Sequence, residues 1–180
     1  MKDELSTRRT YIESCELLQK LGYLENDVIP PILDHRPQYD DEEPLGVSFF
    51  RTFVGEGDLE NMTLPRTYFA KSELGPVSFK NTDLSESNLC WNDFNEVDFT
   101  QADLSRSDLR ASTFTAALFV RANLRDADLR RSSFEDCDFT EADMRVAKLT
   151  RNQAEGIPLS ARQRQEIGWQ DNDGDEPPGG

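Results

Sequence analysis

From Leu59 to Leu149 every fifth residue is Leu, Phe or Met, giving nineteen consecutive centres without a break. A period of five matches neither the 3.6 of a helix nor the 2 of a strand. It describes a chain that bends once per five residues and returns the same side chain to the interior each time. Two residues before most centres the side chain is small, as at Ser87, Ala102, Ser107, Ser112, Ala117, Ala122, Ala127, Ser132, Cys137, Ala142 and Ala147. A small residue fits a crowded inner corner where a long one would clash.

A second period of twenty lies over the first. Phe79, Phe99, Phe119 and Phe139 form one column, and Phe94, Phe114 and Phe134 another. Leu84, Leu104, Leu124 and Met144 form a third, and Leu89, Leu109, Leu129 and Leu149 a fourth. Four five-residue sides therefore make one turn, and like stacks on like. Nineteen sides give about five turns, a rod on the order of 24 Å long at a strand spacing of about 4.8 Å. Each buried Phe or Leu contributes roughly 1.5–3 kcal/mol. The residue before a centre is often Asp or Asn, as at Asp83, Asn88, Asp103, Asp108, Asn123 and Asp128. Short polar side chains of this kind bond nearby backbone and favour turns.

The triplets Ala102-Asp103-Leu104 and Ala127-Asp128-Leu129 follow the pattern A-[D/N]-L-x-x. Over residues 57–151 the chain resembles the pentapeptide-repeat proteins. The resemblance implies an all-β solenoid, a right-handed quadrilateral β-helix, here of about five coils. Met62 and Asn92 depart from the small residue, and Tyr68, Glu73, Leu118 and Lys148 from the Asp or Asn.

A coil of stacked strands has two open ends that need covering. Residues 1–46 are expected to cap the first. Ser6 and Thr7 are placed to start a helix running to about Lys20, with Gly22 beyond its end. Tyr11, Cys15 and Leu18 share one face of it. Pro30, Pro31, Pro37 and the run Asp40-Asp41-Glu42-Glu43-Pro44 then read as a loop. Val47, Phe49, Thr52 and Val54 are in phase with the later repeat, so the coil is assigned to 47–151. The rhythm is read as failing at Ala154. In 152–180, Ser160 can cap a short helix over 161–167, and the acidic tail from Asp171 reads as disordered. Its spacing does not match a calcium loop.

The net charge of −15 is spread over all three segments. Residues 1–56 hold 12 acids against 6 bases, residues 57–151 hold 17 against 12, and residues 152–180 hold 6 against 2. Such a chain is repelled by nucleic acid, so no direct nucleic-acid contact is expected. It is attracted to basic protein surfaces, including those that handle nucleic acid, although acid also simply keeps a stacked-sheet protein soluble. No apolar run reaches membrane-spanning length. The three cysteines form neither a disulfide framework nor a metal pattern. Cys137 is expected inside, Cys15 on the helix and Cys90 outside, and a reducing cytoplasm is the simplest location.

His35, flanked by Asp34 and Arg36, is the only histidine. No nucleophile elbow, phosphate loop or zinc spacing accompanies it. A rod filled with Leu and Phe leaves no substrate cleft, so no enzyme and no cofactor is expected. What remains is the outer surface. The side centred on Phe69, Leu89, Leu109 and Leu129 carries Tyr68, Trp91, Arg110, Arg130, Arg131 and Arg151. Exposed aromatic plus Arg is the composition of interface hot spots. The alternative is that Arg110 and Arg131 stack on Trp91 within the chain and balance Asp108 and Asp128. The side centred on Phe94, Phe114 and Phe134 carries Asp93, Glu96, Glu135 and Asp136 without nearby bases, and Leu118 is an outward apolar residue that can extend a contact.

These features fit a protein-binding antagonist of an immunity type, neutralising a toxin such as a nuclease. The family resemblance also implies a second reading, a DNA-mimicking topoisomerase-protection protein. A scaffold module without inhibitory role is the third.

Overall fold

The chain bends into a square because the second residue after each centre takes a left-handed conformation. Seventeen non-glycine residues have φ between 51° and 63°, and every one lies two positions after a centre. Pro76, whose ring holds φ negative, is the exception within the run. Before many corners, an Asp or Asn side chain accepts the N–H two residues on. Asp83 takes Ser85 N–H (2.9 Å), Asp103 takes Ser105 N–H (3.0 Å) and Asp138 takes Thr140 N–H (2.8 Å). The repeated Asp and Asn thus do turn chemistry.

The computed structural model describes residues 8–24, 28–38, 46–50 and 52–171. It is a right-handed β-solenoid of about six turns with a short helix at each end. Four walls make each turn. The first is centred on Leu59, Phe79, Phe99, Phe119 and Phe139, and the second on Leu64, Leu84, Leu104, Leu124 and Met144. The third is centred on Phe49, Phe69, Leu89, Leu109, Leu129 and Leu149, and the fourth on Val54, Leu74, Phe94, Phe114 and Phe134. Successive turns pair in parallel at a shift of twenty residues, as in Phe49↔Phe69, Phe94↔Phe114 and Phe114↔Phe134. The fourth wall is the most regular. Its strands Phe53–Val54, Glu73–Leu74, Asp93–Asn95, Thr113–Thr115 and Ser133–Glu135 form one five-stranded sheet.

Inside, the phenylalanines stack in the columns the twenty-residue period predicts. Phe99 lies 5.6 Å from Phe79 and 5.3 Å from Phe119, with nearly parallel rings. Phe114 lies 4.7 Å from Phe94. The two columns meet edge-on, as in Phe114–Phe119 at 5.4 Å, the offset and T-shaped geometries that ring quadrupoles favour. The small residues do more than fit. Ser112 Oγ accepts Asn92 N–H (3.1 Å) and donates to Leu89 O (2.8 Å), and Ser132 repeats this one turn later with Ser112 N–H and Leu109 O. Buried hydroxyls therefore stitch one turn to the next.

The coil has about six turns where the repeat count suggested about five, because both ends add strands. Ser48–Phe50 already pairs with Tyr68–Ala70, and Gly168–Gln170 pairs with Lys148–Thr150. The rhythm does not fail at Ala154. Ala154 and Leu159 remain buried in phase, and Trp169 stands opposite Leu149. Here a 3-10 helix (Gln153–Gly156) takes the place of the fourth wall and helix α2 (Ala161–Glu166) that of the second.

Two side chains finish this end. Gln153 Nε2 donates to Leu129 O and Ser132 O (both 2.8 Å). Ten residues later Gln163 Nε2 donates to Phe139 O (2.7 Å) and Ala142 O (3.1 Å). Each Gln also accepts the backbone N–H of the Thr150 or Ser160 three residues before it. Carbonyls of the last full turn are satisfied in this way.

At the other end, helix α1 (Tyr11–Lys20) starts from Thr10 with a capping box to Glu13. Ser6 and Thr7, Asp40 to Pro44 and the tail beyond Asp171 lie outside the described residues. Cys15 and Leu18 are fully buried on the first turn. Ser14 Oγ accepts Thr63 N–H (2.9 Å) and Arg9 N–H donates to Asn61 O (2.7 Å), so the helix entry pairs with the coil edge. Among the described residues no helix is long and apolar enough to cross a membrane.

Candidate functional site

On the third wall, the residues before the centres turn back into the structure. Asp108 is 4 % exposed and Asp128 7 %. Arg110 grips Asp108 with two bonds, Nε–Oδ1 at 2.8 Å and Nη2–Oδ2 at 2.6 Å. Arg130 grips Asp128 the same way at 2.9 and 2.7 Å. Each carboxylate also accepts the backbone N–H of its arginine, which locks Asp-Leu-Arg into one unit. Burial works against the Asp128 charge, yet the Arg130 guanidinium prevails and holds the carboxyl below its usual range.

Several expectations change here. Tyr68, read as an exposed hot-spot aromatic, is 2 % exposed. Cys90, read as outward, is 1 % exposed, and burial pushes its thiol up to about 12. Both lie at outward register positions of a wall that also buries Asn88, Asp108 and Asp128, and the N-terminal segment touches this wall where the Pro37 carbonyl accepts Asn88 Nδ2 (3.2 Å). Arg110 and Arg130 spend their guanidinium groups on Asp108 and Asp128. Trp91 (47 % exposed) and Arg131 do face solvent, and so does Leu118 (37 %) on the first wall. The sequence reading missed the N-terminal segment's contact with this wall, which is made through a main-chain carbonyl that no side-chain pattern marks.

The fourth wall is different. Glu73, Asp93, Glu96, Glu135 and Asp136 are exposed. Among the described residues none of them forms an ion pair; all the ion pairs lie elsewhere. The segments 72–76, 92–96, 112–116 and 132–136 that build this wall contain no Lys, Arg or His. The outcome is a flat sheet whose outer face is acidic and whose upper edge carries Phe53, 71 % exposed.

Elsewhere the chemistry is spent locally. His35 is exposed and paired with Asp34 at 2.6 Å. An open groove of about 890 Å³ runs between the last turn and α2. Its carboxylates Glu141, Asp143 and Glu166 are bound to Arg121, Arg145 and Arg162. Among the described residues no group of His, Cys, Asp or Glu is placed to hold a metal ion.

The family model described as pentapeptide repeats matches residues 77–110 and 107–145, in eight copies, over the same turns that stack most regularly. This is a pentapeptide-repeat protein. No curated protein matches it by sequence. Among solved structures it is similar to HetL, a pentapeptide-repeat protein involved in heterocyst differentiation regulation from Nostoc sp. strain PCC 7120. That likeness has 20% identity and a TM-score of 0.55, over 57% of this chain and 49% of HetL. It is also similar to Rfr23 from Cyanothece 51142, at 15% identity and a TM-score of 0.56, over 58% and 85% of the two chains. The pentapeptide-repeat protein thus shares the fold of both, and the matched part spans about half of HetL. QnrB1, a plasmid-mediated fluoroquinolone resistance protein, is matched at 16% identity over 74% of this chain and 70% of its own, with a TM-score of only 0.35.

Proposed function

We propose that this protein is a non-enzymatic cytoplasmic antagonist that binds a basic protein through its outer walls, most specifically an immunity-type inhibitor of a toxin such as a nuclease. The observation that carries this reading is the fourth wall. It is flat, regular and acidic, with its carboxylates left to solvent, while Glu86, Asp98, Asp108, Asp128, Glu141 and Asp143 elsewhere on the coil each pair with an arginine or lysine. Solubility alone calls for dispersed charge of both signs. A one-signed wall steers and orients a basic partner. Trp91 and Arg131 at the neighbouring corner, and Leu118 across the other, supply contact area at its margins. The packed Phe and Leu interior leaves nothing inside the coil for a substrate, which supports a stoichiometric binder.

The test is co-purification of the tagged chain from its native cell, followed by reversal of the wall. A toxin recovered with the parent chain, and bound roughly 100-fold more weakly by Glu96→Lys/Glu135→Lys, equivalent to about 2.7 kcal/mol, supports the reading. Recovery of a DNA topoisomerase subunit instead assigns the protein to topoisomerase protection. Unchanged affinity in the reversed variant removes the fourth wall from the interface.

A further inference from the structure

Leu118 stands where the turn chemistry of the coil calls for Asp or Asn. It precedes the centre Phe119, and in register above and below it stand Asp98 and Asp138. Asp98 Oδ1 accepts Thr100 N–H (2.9 Å) and Asp138 Oδ1 accepts Thr140 N–H (2.8 Å). Leu118 has no acceptor to offer Val120 N–H, and it is exposed. Relief of repulsion between the two carboxylates does not account for it. On the second wall the same turn holds Asn123 between Asp103 and Asp143. Asn123 Oδ1 accepts Arg125 N–H (3.3 Å) and its Nδ2 donates to Asp103 Oδ1 (3.0 Å). Asparagine thus separates the charges and keeps the turn. Leucine gives up the hydrogen bond and leaves apolar surface in water.

The surroundings of Leu118 are ordered along the rod. The corner residue two before it is half-buried Ala116. Glu96 stands at the same corner one turn before and Asp136 one turn after, all three in the left-handed conformation. Strand register of Asn95, Thr115 and Glu135 sets these corners in one column. Glu96 and Asp136 are exposed, and among the described residues neither forms an ion pair. The column therefore reads acid, apolar, acid, in steps of about 4.8 Å and over a total of about 9.6 Å.

That spacing discriminates between partner conformations. An α-helix rises about 1.5 Å per residue, so side chains at i, i+4 and i+7 share a face at intervals of about 6 and 4.5 Å, about 10.5 Å in all. An extended strand repeats a face about every 6.8 Å and overshoots the second acid by about 4 Å. A polyproline helix repeats about every 9.3 Å and faces the apolar turn with nothing. Of the three, the α-helix meets all three turns.

We propose that the corner between the fourth and first walls docks a basic amphipathic α-helix of a partner protein, laid parallel to the coil axis, with Lys or Arg at i and i+7 on Glu96 and Asp136 and an apolar side chain at i+3 or i+4 on Leu118 and Ala116. A few such anchors at helical spacing are how helices are read by complementary faces. The inference rests on the reading of the acidic wall as a binding face and adds the form of what binds there. It does not require the partner to be a toxin.

Two measurements on the full chain test it. Leu118→Asn restores the turn acceptor, so its Tm is expected to equal or exceed that of the parent. A lower Tm would assign Leu118 to the fold and overturn the proposal. The binding probe is a fluorescent alanine-rich peptide of about 20 residues, long enough to be helical, with Arg at i and i+7 and Leu at i+4. Saturable binding by anisotropy is expected, about tenfold weaker to Leu118→Asn and about tenfold weaker to Glu96→Gln/Asp136→Asn. A peptide of the same composition with its arginines on opposite faces, and one with a central proline that breaks the helix, are each expected to bind at least tenfold more weakly. A helical peptide that fails to bind, or that binds Leu118→Asn as tightly as the parent, overturns the docking site. A proline peptide that binds equally well overturns the helix. A toxin recovered by co-purification whose affinity ignores Leu118→Asn would leave the antagonist reading standing and remove this corner from it.

Discussion

The third and fourth walls are built from the same repeat and end with opposite surfaces. On the third, Asp-Leu-Arg returns the arginine to the aspartate just before the same centre, and both charges are consumed beside the backbone. On the fourth, Asp93-Phe94-Asn95 and Ser133-Phe134-Glu135 run as extended strands, with no arginine to return. Acid content alone therefore does not locate a binding surface in this fold. The residue after the centre decides it, because its side chain emerges beside that of the residue before the centre.

The deepest substitutions should ignore the difference. Leu109 behind the third wall and Phe114 behind the fourth are both fully buried in one core. Leu109→Asp and Phe114→Asp each bury an unpaired carboxylate and remove packing worth roughly 2–5 kcal/mol. Against a total stability of about 5–15 kcal/mol, loss of cooperative folding is expected for both, read by near-ultraviolet circular dichroism. A Leu109→Asp chain that melted near the parent temperature would place residue 109 in water and break the coil model.

One layer out, the walls should separate. Asp128→Ala leaves Arg130 and Arg110 facing a site that supplied carboxylate Oδ2 to both, at 2.7 and 3.9 Å, and Oδ1 as an N–H acceptor. A destabilisation of about 2 kcal/mol is expected, below the cost of a fully buried pair because the arginines reach solvent. Asp93→Ala on the fourth wall should stay within about 0.5 kcal/mol. Equal values in urea unfolding would erase the distinction between a structural acid and a free one.

Acid should reveal the same contrast more gently. The carboxyls of Asp128, Glu86 and Asp143 are held below their usual range, Glu86 by Arg106 and Asp143 by Arg145. A folded-state value below the unfolded one contributes stability that is full above the unfolded value. It is lost as pH falls through the folded value, from about pH 5 downward. Stability measured from pH 7 to pH 3 is expected to decline over that window. The decline should be shallower in Asp128→Asn.

Much of this was legible in the sequence, for a physical reason. A narrow interior admits few side chains, so Phe99, Phe119 and Phe139 had to recur at twenty and stack. The acidic wall was legible too, because register alone places Asp93, Glu96, Glu135 and Asp136 outside. Two kinds of feature were not. Tyr68 and Cys90 point outward by register, yet the third wall buries them as it buries Asn88, Asp108 and Asp128. The coil's continuation past Ala154 was hidden because Gln153 and Gln163 replace strand backbone with side-chain amides. The Thr150 and Ser160 boxes three residues before them were the available signal, and only Ser160 was read as a cap.

The corners should respond most weakly, and in the stabilising direction. Seventeen corners place a non-glycine residue at φ 51–63°, at a cost of roughly 1–2 kcal/mol relative to right-handed backbone. Val146, with φ 60°, is β-branched and 54 % exposed, so its side chain gains little packing in return. Its N–H bonds Glu166 O at 2.8 Å, and glycine keeps that bond. Glycine relieves the steric cost but loses about 0.5–1 kcal/mol more chain entropy on folding. The net gain expected for Val146→Gly is about 0.5 kcal/mol, a rise in Tm of roughly 1–2 °C by calorimetry. Ala111→Gly, at a corner on the third wall with φ 55°, should gain less, because alanine has no branched carbon to crowd the carbonyl. A fall in Tm for Val146→Gly would show that the exposed valine holds the last turn against α2, and the corners would then join the walls as places where the side chain, and not the backbone, sets the energy.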